Sequence, residues 1–278
     1  MKKILLTGAS GYLEARLFLD LRNKFEVVGT YNRTRLYSEF IKLDTTNQND
    51  VRELIRKVQP SIIIHAAANA NRKWCQDHED LARKINIDAT KYVVDAAKSI
   101  GSKIIFISSF AANNPDYFYG YTKKQSEEII KSTVDKYLII RPSVIIGCSP
   151  QTETDNFFNH IIESIDKQLN EFPAESTRRY QPTYIGHLSE VISLSIERDI
   201  NKETTPVAVD EIKSRYDIAK DIISTFDIKV TSFEDQQYSK LITEDLGKLK
   251  ELDLPVYQYK EMIKIVVDEI KHRGKFKL

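Results

Sequence analysis

Lys3-Ile4-Leu5-Leu6-Thr7-Gly8-Ala9-Ser10-Gly11-Tyr12-Leu13-Glu14 is the stretch whose reading decides the fold. A short apolar run ends in a glycine-bearing turn, and helical periodicity follows as far as Leu21. The pattern predicts a buried strand over Lys3–Thr7 and a helix over Tyr12–Leu21. Glycines let the backbone turn tightly and come close to a pyrophosphate where the next helix begins. The free N–H groups and the positive dipole end of that helix favour an anion. Gly8 and Gly11 fit a GxxGxxG fingerprint whose last glycine is replaced by Glu14. A ligand-free tight turn could use the same residues; the place between strand and helix is what favours the anion site.

Working outward, short apolar runs and helical patterns keep alternating. Further strands are expected over Phe25–Thr30, Phe40–Leu43, Ser61–Ala66, Lys103–Ser108 and Tyr137–Arg141. Helices are expected over Val51–Val58, Asp80–Ser99 and Tyr119–Lys131. Near-continuous Ile/Val/Leu strands separated by helices imply a parallel sheet covered on both faces. Right-handed crossovers then give a doubly wound α/β sheet of the Rossmann type. Beyond Pro142 the alternation fades. Helices are expected over Asn156–Leu169, His187–Glu197, Ser214–Phe226 and Tyr259–Lys271, with strands over Tyr180–Tyr184 and Pro206–Val209. The expected organisation is a dinucleotide-binding domain over residues 1–150 and a smaller mixed substrate-binding region over 151–278, partly returning to the main sheet.

Composition narrows the function classes. With 278 residues the chain can bury a sizeable core. Its 41 Lys and Arg balance 40 Asp and Glu, so nothing marks a nucleic-acid binder. Two distant cysteines, Cys75 and Cys148, make no disulfide framework, and a reducing cytoplasm is the expected location. Ile4-Leu5-Leu6 is too short for the core of a signal peptide, and no run approaches a membrane span. The basic ending, Lys271, Arg273, Lys275 and Lys277, reads as a solvated, frayed tail.

The second expected strand runs into Tyr31-Asn32-Arg33-Thr34-Arg35. An acid there would grip a ribose 2′-hydroxyl; two arginines without an acid favour a 2′-phosphate, hence NADP over NAD, unless the loop is merely basic and solvated. The fifth strand ends in Ser108-Ser109, and Tyr119-Gly120-Tyr121-Thr122-Lys123 follows. Tyr119 and Lys123 lie one helical turn apart and share a face. A phenol ionises near pH 10, and an adjacent ammonium is expected to lower that value. A nearby serine hydroxyl can hold a carbonyl oxygen while a nicotinamide cofactor supplies hydride. Tyr121 is the weaker candidate, because Lys124 is only three residues on.

Together these residues resemble the extended short-chain dehydrogenase/reductase superfamily, and within it the dTDP-4-dehydrorhamnose reductase family. Leu43-Asp44-Thr45-Thr46, Gln59 to Ala67, Leu81 to Asn86, Arg141-Pro142-Ser143, Asp155-Asn156-Phe157, Gln181 to Tyr184, Arg215 to Ala219 and Lys248-Leu249 with Leu254-Pro255 extend the likeness over nearly the whole chain. The resemblance implies Ser109, Tyr119 and Lys123 as catalytic. It implies Gly8, Ser10, Gly11, Tyr12 and Leu13 at the pyrophosphate and Arg33 at the 2′-phosphate. Asp44 and Thr45 would border the adenine. Ala66, Ala67 and Ala68 would line the ribose and nicotinamide side, where Tyr119 and Lys123 also meet the cofactor. Three features depart from the family pattern: Glu14 for glycine, a short Ser109–Tyr119 interval, and Lys73 and Gln76 in place of an acidic pair.

On the substrate side Trp74, Asn156 and Arg179 are the candidates. Trp74 is equally a packing residue, and Arg178-Arg179 could pair with a diphosphate or stay on the surface. His65 reads as a hydrogen-bonded core residue and Cys75 as a packed thiol; His78 and His160 lack metal-ligand neighbours at useful spacing, so no metal site is expected. The expected protein is a cytoplasmic, NADP-preferring reductase of a nucleotide-linked keto-sugar, compatible with a homodimer. The alternative is a cofactor-binding regulatory or interaction protein of the same fold without turnover.

Overall fold

The computed structural model describes residues 1–113, 115, 117–235 and 241–276. Lys277, one of the basic residues expected in a frayed tail, lies outside them.

Seven parallel strands form the central sheet: β1 (Lys3–Thr7), β2 (Glu26–Tyr31), β3 (Ile41–Lys42), β4 (Ile62–His65), β5 (Lys103–Ile107), β6 (Tyr137–Pro142) and, much later in sequence, Glu203–Val207. Their spatial order is Glu203–Val207, β6, β5, β4, β1, β2, β3. The crevice between β1 and β4, where the order reverses, is the ligand-binding switch point of such sheets. Helices α1 (Tyr12–Leu21) and α2 (Gln48–Val58) follow β1 and β3. Next come α3 (Arg72–Asp77), α4 (Glu79–Arg83), α5 (Ala89–Ile100) and α6 (Phe118–Thr133).

Alternation along the strands divides the core into two layers. Ile4, Leu6, Ile62, Ile64, Ile105 and Ile107 face one side, packing with Leu13, Leu17 and Leu21 of α1. Leu5, Ile63, Ile104 and Phe106 face the other, packing with Val51 and Ile55 of α2, Val93 and Val94 of α5, and Ile130 of α6. Burying each such side chain contributes roughly 1.5–3 kcal/mol.

The expected elements appear with shifted ends and two differences of substance. The long helix expected over Asp80–Ser99 is not uniform: Lys84–Asp88, between α4 and α5, is a π-helical segment. It turns Asn86 inward, where its amide donates to Asn69 O (3.0 Å) and Thr122 Oγ1 (3.1 Å) and its oxygen accepts from Asn69 N–H (2.8 Å). The strand expected over Tyr180–Tyr184 is two short strands serving different sheets. Arg179–Tyr180 pairs with Lys213–Ser214 and Leu241–Ile242, whereas Thr183–Tyr184 pairs with Ile145–Ile146. Pro182, which has no N–H to give, stands at the break.

The later segments add α7 (Phe157–Asp166), α8 (Ile185–Glu197), α9 (Arg215–Ile223), α10 (Gly247–Glu251) and α11 (Tyr259–Lys271). A parallel pair, Glu171–Glu175 with Lys229–Phe233, lies apart from the main sheet. Glu269 of α11 forms a buried ion pair with Arg16 of α1 at 2.9 Å. Among the described residues no helix is long and apolar enough to cross a membrane.

Candidate active site

The turn after β1 has the geometry its glycines foretell. Gly8 adopts φ +71°, and a Cβ there would stand 3.0 Å from Ala67 Cα. Only glycine lets this turn nest against the segment after β4. Thr7 Oγ1 holds that segment by accepting from Ala66 N–H (3.1 Å) and Ala67 N–H (3.2 Å). Ser10 Oγ accepts from Leu36 N–H (3.2 Å), tying the turn to the loop that carries Arg33. Leu13 is in the core, and the Tyr12 phenol donates to Gly147 O at 2.5 Å, away from the turn.

Arg33 is exposed and, among the described residues, has no hydrogen-bond or ion-pair partner. Arg35 is engaged: it donates to Ser38 O and lies 5.8 Å over the Tyr31 ring. Asp44 Oδ1 accepts from Thr46 N–H (2.9 Å), closing the turn before α2, with Thr45 buried beside it.

Ser109, Tyr119 and Lys123 come together at the end of β5. The Ser109 side chain is a polar neighbour of the Tyr119 phenol that favours its ionised form, and Lys123 Nζ lies 5.9 Å over the Tyr119 ring. Lys123 also donates to Ile107 O at 2.8 Å, anchoring α6 to β5. The close approach rests on Gly120, where any Cβ would run into Ala111 O of the short turn after Ser109. Burial pushes the Tyr119 phenol up to about 12 and the Lys123 ammonium down to about 8. The expected lowering of the phenol by Lys123 is not what the structure shows. Burial outweighs every nearby charge, and the largest opposing charge is Arg72 of α3.

Glu14 lies in the same place. Its carboxyl folds back over Gly11, so close that a Cβ on Gly11 would overlap it. Its own backbone N–H in the first turn of α1 and the charge of Lys123 both favour its ionised form. Burial raises it to about 7.

The substrate-side candidates are more dispersed. Asn156 caps α7, its Oδ1 accepting from Asn159 N–H (2.9 Å), while its Nδ2 is buried without a partner. Trp74 on α3 packs with Cys75 and Tyr119. Arg179 is exposed and pairs with Asp217 at 3.9 Å. The charge of its neighbour Arg178 acts on Tyr180 and on Arg72. Arg72, Arg178 and Arg215 repel one another around Tyr180; burial first, then Arg178, lowers the Arg72 guanidinium below its ordinary value. Arg215 Nε is buried without a partner, and its guanidinium lies 5.4 Å from the Phe157 ring centre. Sequence reasoning did not single out Arg72, Arg215 or Tyr180. They lie far apart in sequence, and no local spacing links them.

His65 is fully buried between Thr7 (2.9 Å) and Thr90 (3.0 Å), and burial drives its ring down to about 3. Cys75 is buried, its Sγ donating to Asn69 O (3.3 Å), with its thiol pushed up by burial. Among the described residues no group of three His, Cys, Asp or Glu side chains is placed to hold a metal ion. A cavity of about 840 Å³ lies elsewhere, between the segment after Gly147, α7, Arg273 and Phe276.

A family model, the RmlD substrate binding domain, matches residues 1–245. The chain belongs to that family. It is similar to a solved dTDP-4-dehydrorhamnose reductase from Clostridium acetobutylicum, 26% identical, covering 97% of this chain and 99% of the other at TM-score 0.84. The reductase from Bacillus anthracis, solved in complex with NADP, is 22% identical with the same coverage and TM-score. Among curated proteins, methionine adenosyltransferase 2 subunit beta of Bos taurus is 29% identical over 160 residues, covering 52% of this chain. The chain spans 48% of that relative's own length. The family and the doubly wound fold are those the sequence led us to expect.

Proposed function

We propose that this member of the RmlD family is an NADP(H)-dependent reductase of a nucleotide-linked keto-sugar. The observation that carries the reading is the meeting of Ser109, Tyr119 and Lys123 beside a glycine turn at the switch point of the sheet. Gly8, Ser10, Gly11, Tyr12 and Leu13 would hold the pyrophosphate. Arg33, with its guanidinium unengaged, would meet the 2′-phosphate. Asp44 and Thr45 would border the adenine, and Ala66, Ala67 and Ala68 the nicotinamide side. The residues fit the group: the Gly8 turn leaves no room for a side chain, and the carboxyl of the chain's own Glu14 lies over Gly11.

The chemistry that a nicotinamide would supply, when bound there, is hydride for the carbonyl carbon. Ser109 holds the carbonyl oxygen. Tyr119 gives that oxygen its proton; a phenol pushed up to about 12 is protonated at rest, as a donor must be. Arg72 then stabilises the phenolate left behind, with the Lys123 ammonium over the same ring. Arg72, Arg178 and Arg215 supply a cationic wall for the diphosphate of a sugar nucleotide. Two free, buried cysteines are in keeping with a cytoplasmic enzyme.

The test is a panel of keto-sugar nucleotides with NADPH, followed by loss of reduced-nicotinamide absorbance. Turnover of at least one substrate is expected. A second reading, a regulatory protein that binds cofactor without turnover, draws on the Glu14 carboxyl lying over the phosphate turn and on the likeness to methionine adenosyltransferase 2 subunit beta. NADPH binding by calorimetry with no absorbance loss across the panel would favour it.

A further inference from the structure

Glu14 is set where it cannot easily leave. In an α-helix every Cα–Cβ bond tilts toward the N-terminus, so a side chain in the first turn of α1 projects back over Gly11. Rotation of the helix about its axis is blocked, because Leu13, Ala15 and Leu17 are all in the core. The carboxyl already lies near enough to its own first-turn N–H, the kind of donor a phosphate would use, to be held down by it. The Lys123 ammonium faces it from α6, and the Tyr119 phenol lies on the same helix. Cys75 of α3 acts on that lysine and phenol from behind, and Arg72 acts on the phenol. The segment Ala66–Ala68 brings no ionisable group. A charged pyrophosphate entering this seat therefore meets one fixed carboxylate that stands within it.

We propose that Glu14 makes cofactor binding proton-coupled: the pyrophosphate seats against Gly8–Leu13 only when Glu14 is protonated, so each cofactor bound brings in one proton. The inference rests on the cofactor-binding reading above. Glu14 is also poised for it, since burial has already raised its carboxyl to about 7. The sign follows from linkage. A dianionic ligand raises the carboxyl further in the complex, so protons are taken up between the free and bound values. Affinity then falls as pH rises above about 7, by up to tenfold per unit for one proton, and levels off below about 7.

The experiment is titration calorimetry of the full chain with NADPH and with NADH, which lacks the titrating 2′-phosphate. It is run from about pH 6.5 to about pH 8.5 in two buffers of different ionisation heat, alongside Glu14→Gln and Glu14→Gly. Circular dichroism checks that each variant is folded. Expected is uptake approaching one proton near pH 8 in the parent, absent from both variants, with variant affinity about tenfold tighter at that pH. Binding by both variants at every pH, with binding by the parent only toward pH 6.5, would also support the proposal. Three results overturn it. Equal uptake in parent and Glu14→Gln would assign the proton to Lys123. No uptake in the parent would mean that Glu14 swings aside still charged. Absence of binding in the parent and both folded variants, with either nucleotide, would overturn the cofactor reading itself, and this inference with it.

Discussion

Arg141 grips Glu127 with two prongs: Nε donates to one carboxylate oxygen at 2.8 Å and the terminal nitrogen to the other at 2.7 Å. Both side chains are largely buried, and the Ser108 hydroxyl donates to the same carboxylate at 2.5 Å. The pair joins β6 to α6 one helical turn beyond Lys123, and Ser108 brings in the end of β5. The rotation of α6 that turns Tyr119 and Lys123 toward Ser109 is held from behind by this contact.

Glu127→Ala is expected to destabilise the fold by about 3–5 kcal/mol, because it strands the buried charge of Arg141. Glu244, 3.4 Å from Arg141, sets the loss toward the lower end of that range. Urea unfolding measures it. A change under about 1 kcal/mol would show that the pair is dispensable.

Tyr119→Phe should lower turnover by roughly 10²–10⁴-fold while leaving NADPH affinity within about twofold, because only the proton donor is lost and the ring still packs beside Cys75. Near-normal turnover would move suspicion to Tyr121.

Arg33→Ala should weaken NADPH by about 1.5–3 kcal/mol and NADH little, since a charge-assisted contact to the 2′-phosphate is what disappears. Arg35→Ala should weaken both nucleotides alike or neither, because Arg35 is occupied by Ser38 and Tyr31. Fluorescence titration with the two nucleotides decides, and the reverse pattern would make Arg35 the reader.

His65 ties stability to acid. Thr7 Oγ1 accepts two backbone N–H groups, so its own proton goes to His65 Nδ1; Nε2–H then donates to Thr90. A second ring proton would point at a hydroxyl with no lone pair left for it. With a folded value of about 3 against an ordinary 6.5, the unfolded chain binds the extra proton first. The folded state is therefore fully favoured by this group above about pH 6.5 and loses that advantage as pH falls toward 3, by several kcal/mol in all. Urea midpoints at pH 7 and pH 4.5 measure it. His65→Asn, which has no proton to gain, should show a flatter profile.

The fold was legible because each half of the pattern is local. Lys3–Thr7 and Tyr12–Leu21 appear in the structure with the ends the periodicity predicts. Strand runs such as Ile62-Ile63-Ile64 need only burial on both faces to declare themselves. Gly8, Ser109, Tyr119 and Lys123 were legible for the same reason: their spacing along a strand, a turn or one helical face already fixes their relation.

Other features depend on residues that sequence distance keeps apart. In the π segment, the Asn86 side chain reaches both Asn69 and Thr122, and no local signal marks that meeting. Tyr180–Tyr184 reads as one strand, yet its halves find different partners. The meeting of Arg178 with Arg72 and Arg215, while the adjacent Arg179 stays exposed beside Asp217, follows from packing of three distant segments. Ionisation was least legible of all. From the sequence, Lys123 is a cation that should lower a phenol; in the fold, burial raises Tyr119 and lowers Lys123 together. Adjacency can be read from spacing, but desolvation belongs to the whole packed assembly, so the charges of Glu14, Tyr119 and Lys123 were decided only when the chain closed around them.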